Sequence, residues 1–478
     1  MVTVRGGVIS LTGTAFRACV QISANIVTAR ILGPDAYGVA AVVLALAVLV
    51  EPVRTNGFAS VVLRSGDLAA PVLVALHRMS ARLGWVLAAA VGCTGGVLLI
   101  AVPHGPYGPL LVVIAIAFPL AGRVAVPVAS LVRRQQVGRV VAVESVAVVL
   151  GAVTAITLAA AGAGPFAMIA QVVVLWAATA TGIAALRGTP TGRAAPWAAV
   201  RSMTGAARDL SLVQVVSLAA RTGDRVLVAA VFSPAVAGLW VQAMQLMTLP
   251  LDQIGAAVQR VAVPAFTAAG PDGVRRRYRR IVQTVTLMAW PVLALLGALA
   301  GPVVGLLFGA AWAGSAEILP FLAAAGGAQA LGFAAVWYFV ASGRSGRQVR
   351  WAFVSQPVLL GALVVALPWG VHGMAAAYAV VCAGLVVPSF LVATRGSGIR
   401  LRDLGSSAVP GALAAAAAVL VALAVRSAAP SGAVAAVFLP AGTGMVAAVL
   451  VAAAFPAVRA VATGLRPGGV TVEGGTAR

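Results

Sequence analysis

The stretch "ARILGPDAYG" at residues 29–38 lies between two long apolar runs. Its Gly-Pro-Asp sequence and second glycine predict a tight turn between two helices. The stretch "AAVFSPAVAG" at residues 229–238 repeats part of it at an offset of 200 residues. The residues that recur are Ala29 with Ala229, Pro34 with Pro234, and Gly38 with Gly238. This recurrence indicates that one helix–turn–helix unit occurs twice, at equivalent positions of two halves.

The composition is that of a membrane protein. Of the 478 residues, 61% are hydrophobic and 9% are charged, and the mean hydropathy is +1.04. Soluble domains are not this apolar. Apolar runs of about 20 residues recur along the whole chain, and each is long enough to cross a hydrocarbon core of about 30 Å. We therefore predict an all-α polytopic membrane protein without a separate soluble domain.

The hydropathy pattern predicts 14 membrane-spanning helices. The spans cover residues 8–30, 38–62, 83–103, 109–132, 140–162, 165–187, 207–232, 236–262, 281–308, 315–342, 350–370, 373–395, 405–426 and 432–456. An even number of spans places both termini on the same side of the membrane.

The net charge of +22 arises mainly from arginines in the gaps that follow even-numbered spans. This distribution follows the positive-inside rule and predicts that both termini face the cytoplasm. The run "RRRYRR" at 275–280 is accordingly interpreted as a topology determinant beside anionic membrane lipids. Nucleic acid is not an expected partner.

The repeat predicts the domain organisation. Six spans separate its two copies, so both turns face outward and both halves run in the same direction. Parallel repeats of this kind are common in transporters, with the substrate site between them. We expect a six-helix lobe at 1–187, a cytoplasmic linker at 188–206 and a second six-helix lobe at 207–395. Residues 396–478 would add two helices and a cytoplasmic tail.

Polar residues follow one face of the first helix in each predicted lobe. In span 1, Arg17, Gln21 and Asn25 are spaced four residues apart. Span 7 carries a matching stripe, with Asp224 beside it; its members are Gln214, Ser217, Arg221 and Arg225.

Arginines within the spans favour a hydrated, cationic cavity between the lobes. Five arginines facing lipid would cost on the order of 15 kcal/mol. Asp224 could pair with Arg221 or Arg225, and Glu51 with Arg54, but Arg17 and Arg123 have no acid nearby in sequence. Such a cavity suits a phosphate or pyrophosphate, which guanidinium binds in bidentate fashion. The predicted cavity residues are Arg17, Gln21, Asn25, Arg54, Arg123, Arg221 and Arg225.

Three acids within the spans are candidates for ion coupling. Glu51 and Asp252 lie at similar depths in the second helix of each lobe, and Asp224 lies in span 7. Acidic residues inside membrane spans often mark proton or sodium pathways. A salt bridge to a neighbouring arginine is the alternative role for each of them.

The sequence contains no motif that indicates an enzyme. The sequence has no G-x-x-x-x-G-K-[ST] phosphate loop, which argues against an ATPase subunit. The three histidines lie near span edges, far from one another, and the three cysteines have no metal-binding spacing. These residues are His77, His104 and His372, and Cys19, Cys93 and Cys382. We predict a protein that is not an enzyme and holds no metal and no cofactor.

Four stretches resemble a known family. They are "TARILGPDAYG" (28–38), "SLVRRQQVGRVVAVESV" (130–146), "RTGDRVLVAAVFSPAVAGLWVQAMQLMTLPL" (221–251) and "LLFGAAW" (306–312). As a set they resemble bacterial polysaccharide flippases of the O-antigen and exopolysaccharide type. These belong to the multidrug/oligosaccharidyl-lipid/polysaccharide exporter superfamily. The resemblance covers about residues 1–400, and Arg225 stands where many relatives carry a lysine.

The resemblance implies a MATE-like bundle of two lobes that works by alternating access. It implies export of undecaprenyl-diphosphate-linked oligosaccharides across the bacterial plasma (inner) membrane for cell-surface polysaccharide synthesis. A polysaccharide polymerase and glycosyltransferases are the partners it suggests. A flippase for a peptidoglycan precursor is an alternative within this class. A cation-coupled drug exporter of the same fold is a second, although it predicts a cavity dominated by acids. A scaffold or polymerase subunit without transport activity is a third, but it would not need facing rows of charged residues on its helices.

Overall fold

The computed structural model describes residues 4–64, 68–186, 188–196, 198–201, 223–268, 271–428 and 432–455. All regular secondary structure in these ranges is helical, which confirms the predicted all-α class. Eleven helices in the described ranges are long and apolar enough to cross a membrane. The count of 14 spans remains a prediction.

The chain divides into two compact units, residues 1–241 with 307–312 and residues 242–306 with 313–478. The predicted lobe boundaries at 187, 206 and 395 remain a prediction. The helices that begin in the first unit are α1 (Val4–Arg64), α2 (Ala70–Ala101), α3 (Tyr107–Ala115), α4 (Ala117–Arg133), α5 (Val137–Ala160), α6 (Phe166–Ala185), the helical residues 223–231 (α7) and α8 (Pro234–Thr267).

The second unit contains the rest of α8 and the helices that follow. These are α9 (Pro271–Ala298), α10 (Ala300–Leu307), α11 (Ala313–Ala341), α12 (Ser345–Val365), α13 (Gly370–Thr394), α14 (Leu401–Ala428) and α15 (Ala435–Ala454). Helix α14 packs against α9 and α15, and α11 packs against α9 and α13. A short 3-10 turn at Ala310–Trp312 belongs to the first unit.

The predicted turn at 29–38 is a sharp break within the long helix α1. Gly33 has φ 69° and ψ 173°, outside the helical region. A positive φ carries no steric penalty in glycine, since it lacks a Cβ. Pro34 follows at the start of the next helical segment, where its fixed φ suits a first turn. The two predicted spans on either side are therefore two segments of one helix with a break.

Several helices extend beyond the predicted spans. Helix α2 begins at Ala70, ahead of the predicted start at residue 83, and therefore includes Arg78 and Arg82. Helix α9 begins at Pro271 and carries the arginine run at 275–280. Arginine is a good helix former, so a helix can continue past its apolar part.

Two predicted spans are each divided into two helices. The span at 109–132 corresponds to α3 and α4, which are separated at residue 116. The span at 281–308 corresponds to α9 and α10, which are separated at residue 299.

The two repeated turns pack against each other within the first unit. A Cβ placed on Gly38 would lie 1.8 Å from the carbonyl oxygen of Pro234. A Cβ placed on Gly238 would lie 2.3 Å from the carbonyl oxygen of Pro34. Only glycine permits this approach at either position. The contact is reciprocal, with each glycine set against the proline of the other turn.

A distant segment of the chain packs against the first turn. Trp312 Nε1 donates to the carbonyl oxygen of Ala29 at 3.2 Å. The indole ring meets the ring of Tyr37 edge-on, with centroids 5.3 Å apart. Trp312 and Tyr37 are both buried. The "LLFGAAW" stretch therefore contributes directly to the packing of the turn at 29–38.

Candidate polar site and its family

A pocket of about 380 Å³ whose lining includes a charged pair lies within the first unit, among α1, α4, α5 and α6. Arg17 and Gln21 line it from α1, one helical turn apart. Glu144 of α5 and Trp176 and Thr179 of α6 also line it. The rest of the lining is apolar and consists of Ala59, Val124, Ala125, Val128, Val148 and Leu175. The pocket therefore combines charged, amide, hydroxyl and aromatic groups inside a helical bundle.

Arg17 and Glu144 form an ion pair in this pocket. Arg17 Nη1 donates to Glu144 Oε2, and Nη2 lies 3.4 Å from Thr14 Oγ1. The side chains of Arg17 and Glu144 are 22% and 33% exposed, so the pair remains accessible. The pair is neutral overall, and the role of Arg17 as a cavity residue remains a prediction. The partner of Arg17 lies 127 residues further along the chain, where no local pattern could indicate it.

A second polar cluster lies near the start of α7. Asp224 is 4% exposed, and its Oδ2 accepts a hydrogen bond of 2.9 Å from Nε1 of the buried Trp240. Arg225 is close enough to Asp224 for a charge interaction. Asp224 Oδ1 and Arg225 Nε are both buried without a hydrogen bond to any described atom.

Asn25, which the sequence places on the same face of α1 as Arg17 and Gln21, lies outside the pocket. Asn25 Nδ2 donates to Tyr37 Oη at 2.9 Å, across the break at Gly33. Arg225 is also within range of a charge interaction with Tyr37. Asn25 is therefore part of the region beside the turn, and the pocket of Arg17 and Gln21 is lined without it.

The other predicted site residues are dispersed. Arg123 is exposed on α4, near His77, and forms no ion pair with a described acid. Asp252 is exposed on α8, in the second unit. Glu51 and Arg54 lie on α1, but their side chains are outside the description. Arg221 lies outside the described residues, as do Gln214 and Ser217.

The second unit contains a larger and mainly apolar cavity of about 870 Å³. Helices α9, α11, α13 and α14 enclose it, and its wall includes many alanines and glycines. Trp290 of α9 lines the cavity and donates from Nε1 to the carbonyl oxygen of Gly327 on α11, at 2.8 Å. Small side chains leave the space open, and the indole bridges two of the walls.

Among the residues that the structure describes, no group of three or more histidine, cysteine, aspartate or glutamate side chains could hold a metal ion. Cys19 and Cys93 are exposed and Cys382 is buried, all as free thiols.

Sequence reasoning missed several residues of these two polar clusters. Glu144 is one of these, because no sequence pattern links it to Arg17, 127 residues away. Nothing in the sequence distinguishes the other three from ordinary residues of apolar spans; they are Trp176, Thr179 and Trp240. Only the packing of α6 and α8 places them beside charged groups.

The fold is similar to those of solved transporters. The lipid II flippase MurJ, in an inward closed conformation, aligns with a TM-score of 0.73 at 12% identity, over 95% of this chain and 100% of that chain. An inward-facing multidrug resistance MATE family transporter of the MOP superfamily aligns with a TM-score of 0.64 at 14% identity, over 83% and 98%. These likenesses confirm the expected MATE-like fold.

No curated protein sequence matches the chain. A family model does. The model described as "Polysaccharide biosynthesis protein" matches residues 27–317, more than half of the chain, and the protein therefore belongs to this family.

Proposed function

We propose that the protein is a membrane flippase that moves lipid-linked oligosaccharides across the bacterial plasma membrane for cell-surface polysaccharide synthesis. The cargo would be carried on undecaprenyl diphosphate, and translocation would follow an alternating-access cycle. The observation that carries this proposal is the pocket with Arg17, Gln21 and Glu144 in its lining, formed among membrane-length helices. Polar residues at such positions mark substrate pathways, because lipid does not tolerate them.

Each unit contains a cavity whose lining suits one chemical part of a lipid-linked glycan. The pocket in the first unit offers charged and hydrogen-bonding groups to a glycan headgroup. The cavity in the second unit offers an apolar lining of the kind that holds a prenyl chain. Family membership in polysaccharide biosynthesis supports a glycan cargo.

The diphosphate would be bound by the remaining arginines. We assign this role to Arg54, Arg123, Arg221 and Arg225, with Asn25 as a polar neighbour, because Glu144 neutralises Arg17. Guanidinium groups match phosphate oxygens in bidentate geometry. Together these groups would make up the cationic cavity of the transport cycle.

Proton or sodium coupling would require an acid that changes its charge or its ligands during the cycle. Glu51, Asp224 and Asp252 are our candidates. Flipping by Glu51→Gln and Asp252→Asn under imposed pH or sodium gradients tests the idea. Flipping that responds to neither gradient in the unmodified protein would rule it out.

The test of function is reconstitution into vesicles with a fluorescent oligosaccharide on a prenyl diphosphate. We expect the glycan to become accessible on the opposite face, as measured by an impermeant lectin, and protein-free vesicles to show no transfer. Arg221→Ala should abolish transfer and Arg221→Lys should retain part of it, since a point charge survives. Arg426→Ala, an exposed arginine at the end of α14, is the matched control.

The same vesicles discriminate the alternatives. The fold shared with MurJ favours a lipid-linked peptidoglycan precursor as second candidate cargo. The fold shared with MATE transporters makes an organic cation the third. Transfer of ethidium without transfer of either lipid-linked glycan would replace our proposal with drug export.

A further inference from the structure

The pocket of Arg17 and Glu144 lies inside the bundle, near the arginine-rich helix ends. Glu144 is seven residues from the start of α5 at Val137, and Thr179 is six residues before the end of α6 at Ala185. At 1.5 Å per residue, both lie about 10 Å from those ends. The volume of about 380 Å³ falls within the range of small-molecule sites. A group entering from that end would meet this pocket early.

The charges in the pocket argue against an anion as its ligand. Arg17 and Glu144 are paired, so the lining is neutral overall. A phosphate placed on Arg17 would lie beside the Glu144 carboxylate and be repelled by it. A cation placed on Glu144 would lie beside the Arg17 guanidinium and be repelled by it. The favoured ligand is therefore uncharged.

The hydrogen-bonding groups match a polyhydroxylated ligand. A hydroxyl both donates and accepts, and the ion pair presents N–H donors beside carboxylate acceptors. Among the described residues Glu144 Oε1 and the Gln21 amide make no hydrogen bond, and Gln21 is exposed on the pocket side of α1. Neighbouring hydroxyls on a sugar ring could therefore bind donors and acceptors at once.

Trp176 supplies an apolar wall. Its side chain lines the pocket and also packs against a buried cluster that includes Val43 and Ile169. This packing holds the indole in place. Aromatic rings provide large contact areas for the C–H faces of ligands.

We propose that this pocket binds a single neutral sugar ring, held by the Arg17–Glu144 pair and Gln21 and stacked on Trp176. The proposal rests on the proposed function, because it assigns one sugar of the glycan cargo to this site. In this assignment the sugar and the diphosphate are bound by different groups of residues.

The experiment is ¹⁹F NMR of the full chain in detergent, labelled with 5-fluorotryptophan. The resonance missing from Trp176→Phe identifies Trp176 among the nine tryptophans. Glucose, galactose, mannose, rhamnose and N-acetylglucosamine are titrated singly. We expect at least one of them to shift the Trp176 resonance saturably, while the resonance of Trp85, 58% exposed on α2, stays fixed.

Two variants test the assigned contacts. Gln21→Leu should weaken binding about fivefold, because it removes hydrogen bonds to a neutral ligand. Glu144→Gln should weaken it at least about tenfold, because charged hydrogen bonds are stronger. Unchanged shifts of the other tryptophans establish that each variant is folded, and Glu144→Asp replaces Glu144→Gln if it is not.

Two results would overturn the proposal. The first is no shift with any sugar. The second is a shift with inorganic pyrophosphate alone that strengthens in Glu144→Gln, which would make the pocket an anion site. The vesicle assay keeps the two proposals apart, since transfer without sugar binding contradicts only this site. Binding of a sugar without transfer of the lipid-linked glycan contradicts only the proposed flippase function.

Discussion

Gly38 and Gly238 meet in a reciprocal contact, each set against the proline of the other repeated turn. A Cβ on either glycine would overlap a backbone carbonyl oxygen, at 1.8 Å for Gly38 and 2.3 Å for Gly238. The repeat in the sequence is thus also a symmetric contact in the structure. Because the atoms that a Cβ would overlap belong to the backbone, no side-chain rearrangement can remove the overlap.

Gly38→Ala should therefore lower the thermal stability of the purified protein by several degrees. Gly96→Ala is the matched control, because Gly96 is also helical and a Cβ there meets nothing within 4 Å. That change should be neutral or slightly stabilising, since alanine favours helices by about 1 kcal/mol over glycine. Melting curves in detergent measure both. Equal melting temperatures for the two variants would contradict the close contact.

The second substitution of the pair gives a further prediction. Gly238→Ala should destabilise to a similar degree as Gly38→Ala, and the double variant should lose less than the sum. Residues that share one contact are not additive, because the first change already breaks it. The same melting curves test this. Full additivity would mean that the two glycines act independently.

The turns were predictable from sequence, whereas the partners in the polar clusters were not. The Gly-Pro-Asp stretch carries its own conformational restriction, so Gly33 and its surroundings read as a break without tertiary information. Helical spacing placed Arg17 and Gln21 on one face. It could not show which helix covers that face, so the partnership with Glu144, 127 residues away, had to come from packing.

The turn at residues 229–238 should face outward and the arginine run at 275–280 should face the cytoplasm. Single cysteines at Ser233 and Arg276, both exposed, test this in a background lacking Cys19, Cys93 and Cys382. On intact cells an impermeant thiol reagent should label the first and spare the second, and permeabilised cells should label both. Labelling in the reverse order would refute the assignment of cytoplasmic termini.

Arg275 of α9 and Asp403 of α14 form a bidentate pair in the second unit. Nε and Nη2 of Arg275 donate to Oδ2 and Oδ1 of Asp403, at 2.7 and 2.8 Å, and the Asp403 side chain is 3% exposed. Arg275→Gln should destabilise the protein, because it leaves the buried Asp403 carboxylate without its cation. Arg276→Gln, on an exposed neighbour, should cost under about 0.5 kcal/mol. Unfolding in detergent compares them, and equal losses would argue against the pair.

The last prediction concerns Asp224, which lies between a hydrogen-bond donor and a neighbouring charge. Asp224→Asn keeps an oxygen for Trp240 Nε1 but leaves Arg225 without its neighbouring negative charge. Arg225→Ala leaves the carboxylate without the cation. Each single change should cost about 2 kcal/mol, because it leaves one charge uncompensated in the bundle.

The double variant Asp224→Asn with Arg225→Ala removes both charges and should lose less than the sum of the two. Trp240→Phe isolates the other contact and should cost about 1–3 kcal/mol, since it leaves a buried acceptor unsatisfied. Trp85→Phe, on an exposed ring, is its control. Unfolding free energies in detergent, with membrane abundance measured alongside, give the values for all five variants. Strict additivity in the charge pair would contradict the prediction, because it would show that Asp224 and Arg225 do not compensate each other.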